Sequence, residues 1–173
     1  MPASGKSFVA EYMDKRKDAK RVHTGDFIAS FLRKRGVKPA HETEMMASLY
    51  MWVEFGDIPV VNWVNKQIKA SKAKLIVIDS LRTVEETRQF QIKYKDAFHV
   101  VAVVTPPDLR LKREKKRARY GKLSNLEFRM RDREELRTGV GDLIANADFY
   151  IDASGSEEET KKNTDRFLKY LKL

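Results

Sequence analysis

Gly5-Lys6-Ser7, near the start of the chain, have the types and order that end a phosphate-binding loop. Such a loop reads G-x-x-x-x-G-K-[ST]. Unpaired backbone N–H groups of the loop and helix start point at phosphate, the lysine adds a point charge, and the Ser7 hydroxyl offers a ligand to Mg²⁺. Met1 to Ser4 fill the four variable places, so the first glycine of the pattern would stand one residue before Met1. The apolar strand that feeds such a loop is also missing ahead of it. The expectation is that the natural protein starts upstream and that Met1 is an internal methionine. A helical pattern opening at Ser7 favours the loop over an ordinary stretch preceding a helix. A second chemical group is Asp79, which ends the apolar run Leu75-Ile76-Val77-Ile78. A carboxylate at the end of a buried strand can hold Mg²⁺ directly or through water. Read alone, it is more simply a cap for the helix beginning near Thr83.

Elements that would position these groups follow from the apolar pattern. Continuous runs at 75–78 and Val100–Val104 suit strands covered on both faces. Weaker strands fall at Phe149–Ile151 and Arg21–Thr24. Helical patterns lie between them: Ser7–Arg16, Phe27–Arg35, Glu42–Phe55, Pro59–Lys69, Thr83–Tyr94, Asp108–Arg119, Leu126–Ala145 and Glu157–Leu171, with Gly36 and Gly56 punctuating two helix ends. Strand–helix alternation predicts one α/β domain with a mostly parallel sheet. Without a feeding strand, residues 76–78 and 101–104 would face an empty slot with unpaired backbone groups. Such a chain is expected to be unstable or weak in nucleotide binding.

Composition sets outer bounds. The chain has 173 residues, is 42% hydrophobic and carries no cysteine. Disulfides, thiolate metal sites and a thiol nucleophile are thereby excluded. No apolar run approaches the ~20 residues needed to span a bilayer, and no signal-peptide core precedes Glu11, so no membrane association and a cytoplasmic location are expected. The net charge is +10. Residues 1–38 and 108–137 each hold a surplus of six positive charges, whereas 39–107 are neutral. Such segments could meet an anion, phosphate first; the plain reading is solvated basic helices.

Several short runs carry a family likeness. Thr24-Gly25-Asp26 resembles the T-G-D of adenylate kinases, and Asp79-Ser80-Leu81-Arg82-Thr83 resembles their D-G-x-x-R-T, one residue shorter. Pro107-Asp108-Leu109 with Arg113 and Arg117 resembles the start of their lid, and Arg131–Leu136 the returning lid helix. Ala147–Ile151 with Ser154-Gly155 resembles the last strand and the adenine-side loop of dephospho-CoA and nucleotide kinases. Gly5-Lys6-Ser7, Gly25-Asp26, Asp79–Arg82, Pro106-Pro107 with Arg110, Arg131–Leu136 with Gly139–Asp142, and Ala147–Ile151 occur in the order of an adenylate-kinase-related P-loop family found mostly in archaea. The resemblance covers nearly the whole chain, and the order of the motifs is its strength.

That resemblance implies a three-layer P-loop NTPase fold like that of nucleoside monophosphate kinases. Residues 1–173 would form one domain, with an acceptor-side helical insertion at about 27–71 and a short lid at about 113–131 whose tip is Arg119–Glu127. It implies ATP and Mg²⁺ as cofactors and transfer of the γ-phosphoryl group to a small acceptor. Ser4, Gly5, Lys6, Ser7, Arg117, Ser154 and Gly155 would bind nucleotide, and Ser7 with Asp79 would hold Mg²⁺. Lys6, Asp26, Arg82, Arg113 and Arg131 would carry catalysis, Asp26 facing the acceptor and the arginines stabilising the transferring group. There are departures. The acceptor-clamping arginine of adenylate kinases is Ala29 here, the D-G glycine is Ser80, and no arginine occurs between Arg35 and Arg82. A hydroxyl acceptor is therefore favoured over AMP.

Met45, Met46, Tyr50, Met51 and Trp52 read as core, with Trp52 or Trp63 a lesser candidate for base stacking. His23, His41 and His99 show no triad or metal spacing, and His23 near Asp26 keeps a weak functional reading. The alternative function is a non-catalytic nucleotide-dependent module binding RNA or protein through its basic segments. No RNA-recognition aromatic motif supports it. The sequence leaves oligomeric state open.

Overall fold

The apolar runs do form strands. In the computed structural model, which describes residues 1–117 and 124–172, strand β1 is Ala19–His23, β2 Leu75–Asp79, β3 Val101–Val104 and β4 Phe149–Asp152. The side chains of His41, Glu42, Met45 and Arg117 are outside that description. β1 pairs parallel with β2, Ala19 opposite Leu75 and His23 opposite Asp79. β3 pairs parallel with β4, Val101 opposite Phe149 and Val104 opposite Asp152. The helices are α1 Lys6–Asp14, α2 Thr24–Arg33, α3 His41–Phe55, α4 Ile58–Lys69, α5 Val84–Tyr94, α6 Pro107–Arg117, α7 Asn125–Arg137, α8 Val140–Ala145 and α9 Glu157–Tyr170.

Two apolar layers cover the strands. On one face Val9 and Met13 of α1 and Phe167 of α9 pack with Val103, Ile151 and Val77. On the other, Val61 and Val64 of α4 and Phe90 of α5 pack with Val22, Ile76 and Ile78. Alternation of Val77 against Ile76 and Ile78 across the two clusters is the period-2 geometry of a strand covered on both sides.

The four strands do not join into one sheet. Among the described residues, the strand pairs are β1–β2 and β3–β4. Between β2 and β3 lies a cavity of about 550 Å³, lined by residues 74–81 and 97–103 together with Met1, Lys6 and apolar side chains of α1, α8 and α9. Leu75–Ile78, along this cavity, are only half-buried.

Three local expectations differ. The helix predicted over 126–145 is two, broken at Gly139, whose φ of +96° is left-handed. A Cβ at that position would come within 3.2 Å of Val84 Cγ2, so the bend also lets α5 approach. Strand β1 ends at His23, because Thr24 turns back to donate from Oγ1 to the Ser80 carbonyl at 2.9 Å and opens α2. The core reading of α3 fails for most of its stripe: Met51 and Ala47 are buried against Ile28 and Leu32, whereas Met46, Tyr50 and Trp52 are half or more exposed. Among the described residues α3 packs mainly on α2 and α4, and its apolar side chains are more than these two neighbours cover. Trp63 faces inward, its ring 5.8 Å from that of Phe27. No described helix is long and apolar enough to cross a membrane. The tip of the expected lid, residues 118–123, is outside the described residues.

Candidate functional site

The phosphate loop is built around Gly5. Its φ is +97°, left-handed, at the N-cap of α1. A Cβ there would stand 3.2 Å from Ala153 Cβ and 3.7 Å from Val103 Cγ1, so glycine satisfies both the conformation and the close approach. Gly5 provides no side-chain cap, and the first turn holds no acidic residue. The leading N–H groups of α1 are thus left to an outside acceptor, at the positive end of the helix dipole. Ser4 is 1% exposed, and its Oγ is buried without a hydrogen-bond partner. Its carbonyl accepts from Thr105 Oγ1 at 3.0 Å, which ties the loop to the end of β3. An orphaned hydroxyl beside open amides and a Cβ-free turn fit an anionic ligand.

Lys6 is partly buried, and its Nζ donates to the Met1 carbonyl at 2.8 Å. Burial pushes its ammonium below the usual lysine range, against the opposing charges of Glu135 and Asp79, while Arg82 pushes the same way as burial. The expected residues Lys6, Asp79 and Arg82 therefore lie within one electrostatic neighbourhood, and Lys6, Asp79 and Ser80 share the wall of the slot. The α-ammonium of Met1, partly buried beside Lys6, is pushed down to about 5, chiefly by burial.

Asp79 is 4% exposed and clamped by β1. Arg21 donates to its Oδ2 from Nε at 3.0 Å and from Nη2, and the His23 ring lies 3.5 Å from the same oxygen. Burial is the largest influence on this carboxyl and would raise it. Hydrogen bonds from His23 and Arg21 outweigh burial and hold it below the usual carboxylate range. In return Asp79 holds the half-exposed His23 imidazole above its ordinary value. Arg21 had no functional reading from the sequence, and His23 had only a weak one, toward Asp26. The signal was available: Arg21 and His23 are two apart on a strand paired in register with the one that ends in Asp79.

A second cavity of about 400 Å³ adjoins the loop, lined by Gly5, Phe8, Arg113, Ala153, Gly155 and Thr160 among others. It brings together three residues expected from the sequence: Gly5, Arg113 and Gly155. Arg113 donates from Nη1 to Thr105 Oγ1 at 3.2 Å and from Nη2 to the Ala153 carbonyl. Ser154 donates its N–H to Asp152 Oδ1 at 2.8 Å, shaping the turn after β4.

The other expected residues stand apart from these two cavities. Arg82 is largely exposed and donates from Nη1 to Glu135 at 3.0 Å. Arg131 donates to Glu114 Oε1 of α6 at 2.9 Å. Asp26 is exposed in the first turn of α2, near enough to His23 to raise its pKa. The Arg117 side chain is outside the described residues. Arg110, quoted only as a motif position, proves central. It is 4% exposed, donates to both carboxylate oxygens of Asp132 at 2.7 and 2.6 Å, and also to the carbonyls of Thr105 and Pro2 at 3.2 Å. One guanidinium thus joins α6, α7, the β3 end and the phosphate loop. Among the described residues no group of three or more His, Asp or Glu side chains is gathered as a metal site.

Comparison with known proteins places this geometry. No family model matches the chain. A "UPF0200 protein" of Thermococcus gammatolerans is 35% identical over 166 residues, covering 94% of this chain and 87% of that one. Another, from Saccharolobus solfataricus, is 34% identical over 177 residues, covering 98% and 91%. Among solved structures, the protein TT1252 from Thermus thermophilus superposes with a TM-score of 0.66 at 16% identity, over 98% of this chain and 93% of that one. Shikimate kinase from Acinetobacter baumannii, in complex with shikimate, gives 0.58 at 14% identity over 99% and 89%. A gluconokinase from Sinorhizobium meliloti gives 0.57 at 14% over 98% and 90%. The fold is that of the P-loop kinases.

Proposed function

The chain belongs to the UPF0200 family, and from that membership and its P-loop kinase fold we propose that it is an ATP-dependent phosphotransferase acting on a small acceptor. The observation that carries this reading is the Gly5 turn. It leaves backbone amides open beside a partly buried lysine, in the field of Asp79, with a cavity of about 400 Å³ on its other side.

In this reading the amides of residues 4–7 and the Lys6 ammonium hold the donor phosphates. Arg113 and Gly155 border the cavity that takes the nucleoside, Ser154 adjoins Gly155 in sequence, and Arg117 is proposed as a further contact from its place in the sequence. The oxygens of Ser7 and Asp79 are of the kind that hard Mg²⁺ takes, alongside phosphate oxygens; Mg²⁺ would neutralise charge on the phosphates. For Asp79 to serve, its carboxylate must share with or release Arg21. Arg82 and Arg131, each now paired with a glutamate, supply positive charge for a transferring phosphoryl group. Asp26, exposed at the start of α2, orients the acceptor hydroxyl or takes its proton. Catalysis of this kind rests on positioning and electrostatics, with no covalent step on the protein. Residues 1–173 act as one domain in this reading, with α2 to α4 on the acceptor side and residues 113–131 closing over the donor.

Acceptor choice follows from the shortage of arginines on α2, α3 and α4. A phosphate acceptor needs cationic clamps, whereas a hydroxyl acceptor needs a base, and Asp26, exposed in the first turn of α2, is the candidate for it. The solved neighbours named shikimate kinase and gluconokinase agree with a small hydroxylated acceptor. The test is ADP release from ATP–Mg²⁺ against a panel of nucleosides, dephospho-CoA, small hydroxy acids and AMP. Acceptor-dependent release is expected, reduced roughly 10²-fold or more in Lys6→Ala. ATP binding with transfer to none of the panel would overturn the enzyme reading in favour of a non-catalytic nucleotide-binding module.

A further inference from the structure

Helix α3 has two apolar stripes, and the domain covers one of them. Ala47 and Met51 are buried in the cluster with Ile28 and Leu32. Met46, Leu49, Tyr50, Trp52, Val53 and Phe55 are each about half exposed or more, Val53 at 71%. Of these, Met46, Leu49, Tyr50 and Val53 recur at i, i+3, i+4 and i+7, the spacing of a single stripe along a helix. At about 100° per residue, that stripe is turned well away from Ala47 and Met51. The ring of Tyr50 meets that of Phe55 edge-on at 6.1 Å, which extends the apolar surface to the helix end.

The size of this surface bears on what can cover it. With roughly 200 Å² of accessible surface for each large side chain, the six present on the order of 700 Å² to solvent. Contiguous apolar patches beyond a few hundred Å² mark interaction sites. A standard stable interface takes about 800 Å² from each partner, so a second copy of the same patch would complete one.

The charges around α3 favour that occupant. Between Lys38 and Lys66 the chain has no lysine or arginine. Arg33, Lys34, Arg35 and Lys38, all exposed, come just before α3. The Lys38 carbonyl accepts from Thr43 Oγ1 at 3.1 Å, which ties this basic group to the helix start. Glu54 and Asp57 stand at the helix end. Against Glu42 and Glu44, the four basic residues leave the start positive, while the end is negative. Opposite signs at opposite ends suit an identical helix laid antiparallel, each basic end meeting an acidic one. They do not suit an anionic membrane, which would repel the acidic end.

We propose that the outer stripe of α3 is a self-association seam, where two copies of the chain pair antiparallel about a two-fold axis beside Leu49 and Tyr50. Two-fold symmetry makes the patch its own complement. It sets Met46 opposite Val53 of the partner subunit and Leu49 opposite Tyr50 of the partner subunit. Trp52 and Phe55 flank the seam, and residues 33–38 of each copy approach the Glu54–Asp57 end of the other. The inference does not rest on phosphoryl transfer.

Sedimentation of the full chain should show a monomer–dimer equilibrium at micromolar concentration. Leu49→Lys combined with Val53→Lys, both at exposed positions, should raise the dimer dissociation constant at least about 10²-fold, with far-UV circular dichroism and thermal unfolding unchanged. The chain has no cysteine, so single cysteines report the register. Under copper-catalysed air oxidation, Met46→Cys mixed with Val53→Cys should form a disulfide-linked dimer at least about tenfold faster than either variant alone, because only that pairing meets disulfide geometry. Ile92→Cys, exposed on α5, should not cross-link. A monomer alone at up to about 100 μM would overturn the proposal. So would a dimer that the double lysine variant leaves intact, or cross-linking of Ile92→Cys as fast as the mixed pair. Binding of monomeric chain to phosphatidylserine–phosphatidylcholine vesicles, lost in the double lysine variant, would also overturn it and assign the stripe to a membrane surface.

Discussion

Replacing Asp79 with Asn preserves shape and removes the charge on which β1 and β2 converge. In the native chain the carboxylate accepts two hydrogen bonds from Arg21 and lies 3.5 Å from the His23 ring. Hydrogen bonds to charged groups contribute roughly 1.5–3 kcal/mol each when buried. Arg21 is not orphaned by the change, because Nη1 also reaches Glu11 Oε1 at 3.1 Å. The His23 contribution is screened by its exposure. About 2–3 kcal/mol is therefore expected for Asp79→Asn. The loss should vary with pH, with a sign that follows from both shifts. Asp79 titrates lower in the folded state, so its stabilisation is present above about 4, the unfolded carboxyl value, and fades as pH falls through the folded value. His23 titrates higher in the folded state, so its share is complete below about 6.5 and fades as pH rises through the folded value. The difference between native chain and variant should peak between about pH 4 and 6.5 and shrink on either side. Urea unfolding of both proteins at pH 3, 5.5 and 8.5 measures it. A penalty below about 0.5 kcal/mol at pH 5.5, or one unchanged at pH 8.5, would refute the assignment of Asp79 and His23 to one coupled unit.

Gly5→Ala should cost about 1–2 kcal/mol from the left-handed conformation alone, with more from the 3.2 Å approach to Ala153, and thermal unfolding reads the loss. Arg110→Ala removes one partner of a buried pair and should destabilise by about 3–5 kcal/mol in urea unfolding, with Arg110→Lys recovering little because a lysine cannot make the two-pronged bond to Asp132. Arg82→Ala should behave oppositely: its exposed pair with Glu135 is worth less than about 1 kcal/mol, so stability holds while acceptor-dependent ADP release falls.

The sequence made the element order legible because each element announces itself locally. Val100–Val104 can only be a covered strand, and Thr83 with Glu86 forms the capping box that starts α5. Features made by pairing across the fold were harder to see. Arg21 and His23 become partners of Asp79 only once β1 is placed in register with β2. Arg110 matters because Asp132, Pro2 and Thr105 converge on it from three separate segments. Trp52 and Tyr50 were misread because apolar content in α3 exceeds the area that α2 and α4 can cover, a limit set by neighbours and not by composition.

The central claim is that the Gly5 turn and Lys6 cradle polyphosphate with the nucleoside lying toward Gly155. Titrating ATP–Mg²⁺ into the ¹⁵N-labelled chain and following backbone amide shifts tests this directly, even when binding is weak. The account predicts that Gly5, Lys6 and Ser7 move together with Ser154 and Gly155, and that inorganic triphosphate moves the first group alone. Shifts confined to the basic faces of residues 15–38, with the Gly5–Ser7 amides unmoved, would contradict it.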